Sequence, residues 1–181
     1  MAAGYRLKAT VMDADAIRRS LRRMAHEVIE RNHGVDQLVV VGVVSHGDVL
    51  AQRLAAMLEE LEGQGVPAGR IDASSHRDDL HLRAASVHPQ GSMLPDIDEQ
   101  TVVLVDDVLH HGRTVRAAID ALLEFGRPRA IQLAVLVDRG HRELPIRPDF
   151  VGKNVPSRES EIVAVRLVEA DGVDSAVILE A

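Results

Sequence analysis

The chain has 181 residues, 46% hydrophobic but only 2% aromatic, so we expect one domain over residues 1–181 with an aliphatic core. The net charge of −7 disfavours a general nucleic-acid coat, and the absence of cysteine excludes disulfides, thiolate metal sites and a cysteine nucleophile. No apolar run approaches the ~20 residues of a membrane span, and residues 1–10 lack the apolar segment of a secretion signal. These features predict a cytoplasmic protein without a membrane partner.

Residues 13–32 are predicted to form a helix with one apolar and one basic face. Apolar residues recur at i, i+4, i+7 and i+11, namely Ile17, Leu21, Met24 and Val28. Five basic residues fall within an arc of roughly 140° on the other side: Arg18, Arg19, Arg22, Arg23 and His26. Such a face is usually only solvated surface, but in an acidic chain a local basic face also suggests the hypothesis that this helix binds RNA.

Two strand–loop–helix units follow along the chain, and each has the pattern of an anion site. In the first, the apolar residues 38–44 lead through Ser45–Gly47 into a helix. In the second, the apolar residues 102–105 lead through Asp106–Asp107 and a glycine-containing loop to a helix with Thr114 as its predicted N-cap. The open N-terminus of a helix attracts anions, and ligands of parallel sheets bind at the carboxyl ends of the strands. Acids beside such a site suggest sugar hydroxyls or a divalent cation as partners.

The rest of the chain continues the alternation of helices and strands. A short strand is predicted over residues 70–75, and residues 81–95 lack periodicity, which favours either a functional lid or a plain insertion. Residues 131–137 predict another buried strand. Residues 162–169 and 176–180 predict two strands around a hairpin turn.

Two runs of sequence carry a resemblance to a known family. The run from Val102 to Thr114 resembles the phosphoribosyl-pyrophosphate (PRPP) signature of the type I phosphoribosyltransferases. The run from Asp138 to Arg147, continuing to residues 151–154, resembles more specifically the PyrR family of bifunctional pyrimidine-operon regulators and uracil phosphoribosyltransferases. The resemblance implies an α/β fold with a central, mostly parallel sheet flanked by helices, a flexible lid loop and a small C-terminal hood.

The resemblance also implies a reaction, in which uracil and PRPP give UMP and diphosphate with Mg²⁺ held mainly by PRPP rather than by protein side chains alone. Catalytic roles would fall to Asp106 and Asp107, which hold the ribose hydroxyls, and to Arg77 on the lid. Val137 and Asp138 would border the uracil. The remaining PRPP-binding positions, including the loop for the 5′-phosphate, are Val105, Val108, Leu109, His110, His111, Gly112, Arg113 and Thr114.

The sequence departs from the family pattern in both anion loops. The pyrophosphate loop is Ser45-His46-Gly47 where relatives usually have Thr-Arg-Gly, so its fixed positive charge is replaced by a titratable imidazole. The pair His110–His111 replaces an aromatic residue and threonine. A metal site on these adjacent histidines is disfavoured because sequence neighbours rarely point at one ion.

The family also binds messenger RNA, and the resemblance extends the basic surface to four later residues: His141, Arg142, Arg147 and Lys153. UMP or UTP would strengthen and PRPP would oppose binding to pyrimidine-operon mRNA, with reciprocal coupling. The altered loops leave open an alternative, a weakly catalytic regulator that uses the nucleotide site only as a sensor. Relatives form homodimers or homotetramers, and the run after Asp138 disfavours a purine substrate.

Overall fold

A computed structural model describes residues 5–76 and 91–181 of the chain. Five strands form a wholly parallel sheet in the order β3-β2-β4-β5-β6. Their bounds are β2 Leu38–Val43, β3 Ala68–Ile71, β4 Thr101–Leu109, β5 Ala130–Asp138 and β6 Phe150–Asn154. The apolar runs predicted as strands lie in β2, β4 and β5 at the centre of this sheet, where both faces are covered. The predicted parallel α/β sheet is therefore confirmed.

Three helices cover the two faces of the sheet: α1 Ala14–Asn32, α2 His46–Glu62 and α3 Arg113–Leu123. Alternate residues of β4 point to opposite faces, so Val103 and Val105 pack in the cluster with α1 and α2, whereas Val102 and Leu104 pack in the cluster with α3. The predicted helix over residues 13–32 is confirmed. The Asp13 carboxylate caps it by accepting the Ala16 N–H at 2.8 Å.

A second, antiparallel sheet forms the hood. It has the order β1-β8-β7 and consists of β1 Arg6–Met12, β7 Ile162–Arg166 and β8 Ser175–Glu180. The hood is therefore not purely C-terminal, because its outer strand β1 comes from the beginning of the chain. Sequence patterning missed β1, since most of its side chains are exposed and show no clear apolar alternation.

The hairpin turn predicted between β7 and β8 is wrong. The strand ends at Arg166, and the connection contains a short helix, α4 Val168–Asp171, that ends at Gly172 with φ 74°. The Asp171 carboxylate accepts the Leu167 N–H at 2.9 Å, and the Gly172 N–H reaches the Val168 carbonyl at 3.0 Å. These local bonds favour one helical turn over a tight hairpin.

Arg53 of α2 ties the hood to the parallel sheet. Its Nε donates to Glu169 at 2.9 Å and its Nη1 to Asp174 at 2.8 Å, and these hydrogen bonds hold the pKa values of both carboxyls below their usual range. Within the hood, Lys8 of β1 forms an ion pair with the buried Glu161, which directly precedes β7. The contacts of Arg53 therefore join the hood to α2, beside the carboxyl ends of the central strands.

Two further differences concern the segment between α2 and β4. The strand predicted over residues 70–75 begins earlier and ends at Ile71, and a single 3₁₀ turn, Ser74–His76, follows it. Of the predicted lid over residues 81–95, residues 81–90 lie outside the described residues, as does Arg77. The described part returns to the sheet, where backbone hydrogen bonds of 2.8 and 2.9 Å join Arg70 and Met93.

Candidate functional site

A cavity of about 870 Å³ lies between the carboxyl end of β4 and the hood. The β4 side is formed by Asp106 and Asp107 with the loop that follows them, and the α2 side by Val44–His46. The hood contributes Tyr5 and the segment 159–163. The two predicted anion loops and the paired acids therefore meet at one site.

The two acids belong to β4 itself, which continues past the predicted end of the strand to Leu109. Asp106 is only 7% exposed, and its Oδ1 accepts the Asp107 N–H at 2.9 Å. The Oδ1 of Asp107 in turn accepts the Val108 N–H at 2.7 Å. These bonds fix both carboxylates at the cavity wall, where they can accept hydrogen bonds from a polyhydroxyl ligand.

The loop of residues 110–112 leads into α3, and the N-cap of that helix is Gly112 rather than the predicted Thr114. Gly112 has φ 93°, a conformation that strains any residue with a Cβ, and threonine is especially ill-suited to it. Thr114 lies within the first turn of α3 instead. The α3 N-terminus has no side-chain cap, so its backbone N–H groups and dipole suit a phosphate.

His110 is a neutral side chain at the base of this loop. Its ring stacks on that of His111 with 3.5 Å between centroids, and its Nε2 is buried with no hydrogen-bond partner within residues 5–76 and 91–181. Burial lowers the pKa of His110 to about 4, and the positive charge of Arg139 acts in the same direction. His110 therefore supplies packing at pH 7 rather than a positive charge.

Arg142 holds the same loop through hydrogen bonds to backbone carbonyl groups. It donates to the His110 carbonyl at 2.9 Å, to the Ile146 carbonyl at 3.0 Å and to the Asp138 carboxylate at 2.5 Å. The neighbouring Arg113 donates to Glu143 at 2.6 Å, and this bond is the main reason that the pKa of Glu143 lies below its usual range. The loop conformation thus depends on a set of charged contacts with the segment that follows β5.

The first anion loop, Ser45–Gly47, lies directly beside the acids. The helix α2 begins at His46, and Ser45 makes no side-chain cap, so the first backbone N–H groups of the helix can bind an anion. Gly47 packs so closely on β4 that a Cβ there would lie 2.5 Å from the Val105 carbonyl oxygen. The Val44–Ser45 peptide bond is cis.

Sequence reasoning missed two parts of the cavity wall. Arg139 is 5% exposed, lines the cavity, and donates to Ser157 Oγ at 3.0 Å and the Arg158 carbonyl at 2.7 Å. Its position directly after a buried strand was the available signal. The hood residues, including Ile162 and Val163, gave no local signal because only the tertiary fold brings them over β4.

The two residues predicted to border uracil lie apart from this cavity. The side chain of Val137 is fully buried in the core, and Asp138 is bound to Arg142 and to the Gly140 N–H. Asp138 lines a second cavity of about 710 Å³ on the other side of Arg139. Arg139 lines both cavities and separates them.

The predicted RNA-binding face is less positive than the sequence pattern indicated. Arg19 and His26 are exposed, but the other three arginines each pair with a carboxylate: Arg18 with Asp15 at 3.0 Å, Arg22 with Glu60 at 3.2 Å and Arg23 with Glu27 at 2.6 Å. Sequence spacing alone could not find the Glu60 contact, because Glu60 comes from α2.

Strand β6 connects this face to the later basic residues. Arg23 also donates to the Val151 and Gly152 carbonyls of β6 at 2.8 and 2.7 Å, and Lys153 donates to the Val11 carbonyl at 2.7 Å. Val151 lines the second cavity, together with His141, Arg142 and Arg147. The predicted basic residues therefore form one connected surface, although Arg142 is bound to the loop below the main cavity.

Within residues 5–76 and 91–181, no group of three or more histidines and carboxylates is placed to hold a metal ion. None of the helices in these two ranges is long and apolar enough to cross a membrane.

Comparisons with known proteins identify relatives for nearly the whole chain. A family model described as "Phosphoribosyl transferase domain" matches residues 9–170. The "Bifunctional protein PyrR" of Brevibacillus brevis is 59% identical over 168 residues, which are 92% of this chain and 94% of the relative. The protein of the same name from Chloroflexus aurantiacus is 58% identical over 93% of each chain.

Solved structures show the same fold at much lower identity. A hypoxanthine-guanine phosphoribosyltransferase from Bacillus anthracis superposes with a TM-score of 0.65 at 20% identity, covering 83% of this chain and 86% of that one. A hypoxanthine-guanine-xanthine phosphoribosyltransferase gives 0.67 at 17% identity, covering 96% and 95%. These likenesses support the type I phosphoribosyltransferase fold.

Proposed function

The chain belongs to the PyrR family of phosphoribosyltransferases, and from that premise we propose that it transfers the phosphoribosyl group of PRPP to uracil and also regulates pyrimidine genes through messenger RNA. The observation that carries the enzymatic part is the meeting of Asp106 and Asp107 with two uncapped helix N-termini in one cavity. PRPP carries anionic groups at both ends of a ribose, and this arrangement offers an anion site on either side of a pair of carboxylates.

In the proposed complex, Asp106 and Asp107 accept hydrogen bonds from the ribose hydroxyls. The 5′-phosphate lies at the N-terminus of α3 and the pyrophosphate at that of α2. This placement directs ribose C1′ towards the hood, where Arg139, Ile162 and Val163 line the cavity. We place the uracil against this wall rather than against the buried side chain of Val137, and Asp138 acts indirectly by holding Arg142.

The reaction breaks the C1′–O bond to pyrophosphate and forms a bond from C1′ to a uracil ring nitrogen, which loses its proton. Positive charge develops on the ribose ring in the transition state, so the two carboxylates and the exclusion of water by the hood favour the reaction. Mg²⁺ would arrive bound to the PRPP oxygens and neutralise charge on the leaving group. The donor set fits this arrangement, because Asp106 and Asp107 offer carboxylates beside an anion site.

Formation of UMP from uracil and PRPP with Mg²⁺ tests the enzymatic proposal. The double change Asp106→Asn and Asp107→Asn should abolish UMP formation and preserve the fold, because asparagine keeps the size and the acceptor oxygen of each side chain. Wild-type protein that forms no UMP but still binds PRPP in calorimetry would refute the enzyme and favour the sensor.

The connected basic surface around β6 favours the regulatory part of the proposal. RNA contacts should come mainly from three exposed members, Arg19, His26 and Arg147. Four arginines of this surface are engaged by carboxylates, and Lys153 donates to the Val11 carbonyl. Arg19→Gln with Arg147→Gln should weaken binding to a pyrimidine-operon leader RNA, lower the salt dependence of binding and leave UMP formation unchanged. Undiminished RNA binding by this variant would refute the assigned surface. A homodimer or homotetramer and a cytoplasmic location remain predictions.

A further inference from the structure

Two carboxylates from different elements hold the ring of His46 at the cavity wall. The Nε2 atom lies 2.9 Å from Asp171 Oδ2 on the hood helix α4, and the Nδ1 atom lies 3.7 Å from Asp107 Oδ2 on β4. About a quarter of the His46 side chain is exposed, and the residue lines the cavity. The hood therefore orients a side chain of the predicted pyrophosphate loop.

The charges around this ring come from every element that packs on it. Asp107 and Asp171 face it from β4 and α4, and Asp48 of its own helix is engaged by the Val49 N–H at 2.8 Å. Arg166 at the end of β7 adds a positive charge that acts on Asp171. The pKa of Asp171 lies below its usual value, chiefly because it accepts the Leu167 N–H and secondly because of His46. Asp171 is therefore an anion throughout the range in which imidazoles change charge.

The geometry determines what the ring can offer to an anion. With Nε2–H donated to Asp171, a neutral imidazole has only a lone pair on Nδ1 and cannot donate to a phosphate oxygen from that atom. The protonated ring keeps the bond to Asp171 and gains an Nδ1–H on the side of Asp107 and the cavity. The same proton thus provides both the donor and the positive charge.

We propose that Asp171 is a positioning residue for substrate binding: it holds His46 by Nε2, so that the protonated ring binds the pyrophosphate group of PRPP through Nδ1–H. This inference rests on the proposed function and identifies how the same site recognises the pyrophosphate group. It makes pyrophosphate affinity depend on pH, with tighter binding at low pH than at high pH. A guanidinium at this position would bind without that dependence.

Calorimetric titration with inorganic pyrophosphate at about pH 6 and about pH 8.5 tests the proposal on the full chain. Wild-type protein should lose about tenfold more affinity between the two conditions than His46→Arg, the size of one charge-assisted hydrogen bond. Because both proteins meet the same ligand, the titration of pyrophosphate itself cancels in this comparison.

Asp171→Asn removes the negative charge that favours the protonated ring, so it should weaken pyrophosphate binding about tenfold at the lower pH and reduce the pH dependence. The asparagine oxygen can still accept both the Leu167 N–H and the His46 Nε2–H, because both contact Oδ2 of Asp171. In the His46→Arg background the same change should have little effect. The matched control is Glu169→Gln on the same short helix, which contacts Arg53 and not His46, and it should titrate like the wild type.

Equal pH dependence in wild type and His46→Arg would overturn the proposal, and so would wild-type behaviour of folded Asp171→Asn. If Asp171→Asn does not fold, the comparison with His46→Arg decides alone. In the enzymatic assay the effect should appear in the KM for PRPP and not in kcat. Absence of UMP formation in every variant would refute the proposed enzyme, whereas the pyrophosphate titrations would still decide the role of Asp171.

Discussion

Replacing Gly47 by alanine tests the close packing of the pyrophosphate loop on β4. An added Cβ would lie 2.5 Å from the Val105 carbonyl oxygen and 3.3 Å from Asp106 Cα, and both of these atoms belong to backbone at the centre of the sheet. Since β4 has neighbours on both sides, the loop and the start of α2 must move instead. Restoring an ordinary separation requires a shift of roughly 1 Å, and overpacking of this kind costs about 1–3 kcal/mol of folding free energy.

The shift should affect activity more than stability. A displacement of roughly 1 Å at a substrate-positioning loop lowers the rate by about 100-fold. We therefore expect kcat/KM for PRPP to fall by about that factor in Gly47→Ala, while the thermal unfolding temperature decreases by a few degrees, about 2–4 °C per kcal/mol.

The chain provides a matched control for this substitution. Gly65 lies between α2 and β3, and a Cβ added there meets no atom within 4 Å. Gly65→Ala should therefore leave both kcat/KM and the unfolding temperature nearly unchanged. Equal kcat/KM values in Gly47→Ala and Gly65→Ala would show that the loop is not held tightly against β4.

Three further changes probe other parts of the molecule. Asp13→Ala removes the cap of α1 and should lower the free energy of unfolding by about 1 kcal/mol in a urea titration; an unchanged midpoint would contradict the capping role. The His110 ring should titrate near pH 4 in NMR, and because this pKa lies below the ordinary value of about 6.5, its contribution to stability is complete above that value and is lost as the pH falls towards 4. His110→Gln should flatten this part of the stability profile, and a ring that titrates near pH 6.5 would refute its burial. Arg53→Met should loosen the hood and speed hydrogen exchange in β7 and β8 relative to β4. If exchange in β7 and β8 is no faster than in the wild type, the Arg53 contacts are not needed to hold the hood.

The main sheet and much of its active edge were predictable because local patterns determine them. The buried valine runs and the acids after residue 105 identified β4 and its ligand edge without tertiary information. Corrections arose where distant contacts decide the outcome. Strand β1 is exposed along most of its length and is recognised only through its pairing with β8.

The N-terminus of α3 shows a second limit of sequence reasoning. Thr114 has the side chain of a good N-cap, but Gly112 can adopt the positive φ that the loop requires, and the helix begins one residue earlier than the threonine. The contact between His46 and Asp171 joins residues 125 positions apart, so no local pattern could indicate it. The positive surface on α1 was overestimated for the same reason, because Glu60 comes from another helix.

The composition of the hood from both parts of the chain has a consequence for the order of folding. Pairing of Arg6 with Glu180 closes a loop that contains the entire parallel sheet, whereas β2 through β6 join neighbours much nearer in sequence. The parallel sheet with its paired acids can therefore assemble before the hood has formed. On a ribosome, β1 cannot pair with β8 until β8 has been synthesised, and we therefore expect the cavity to become enclosed late in folding.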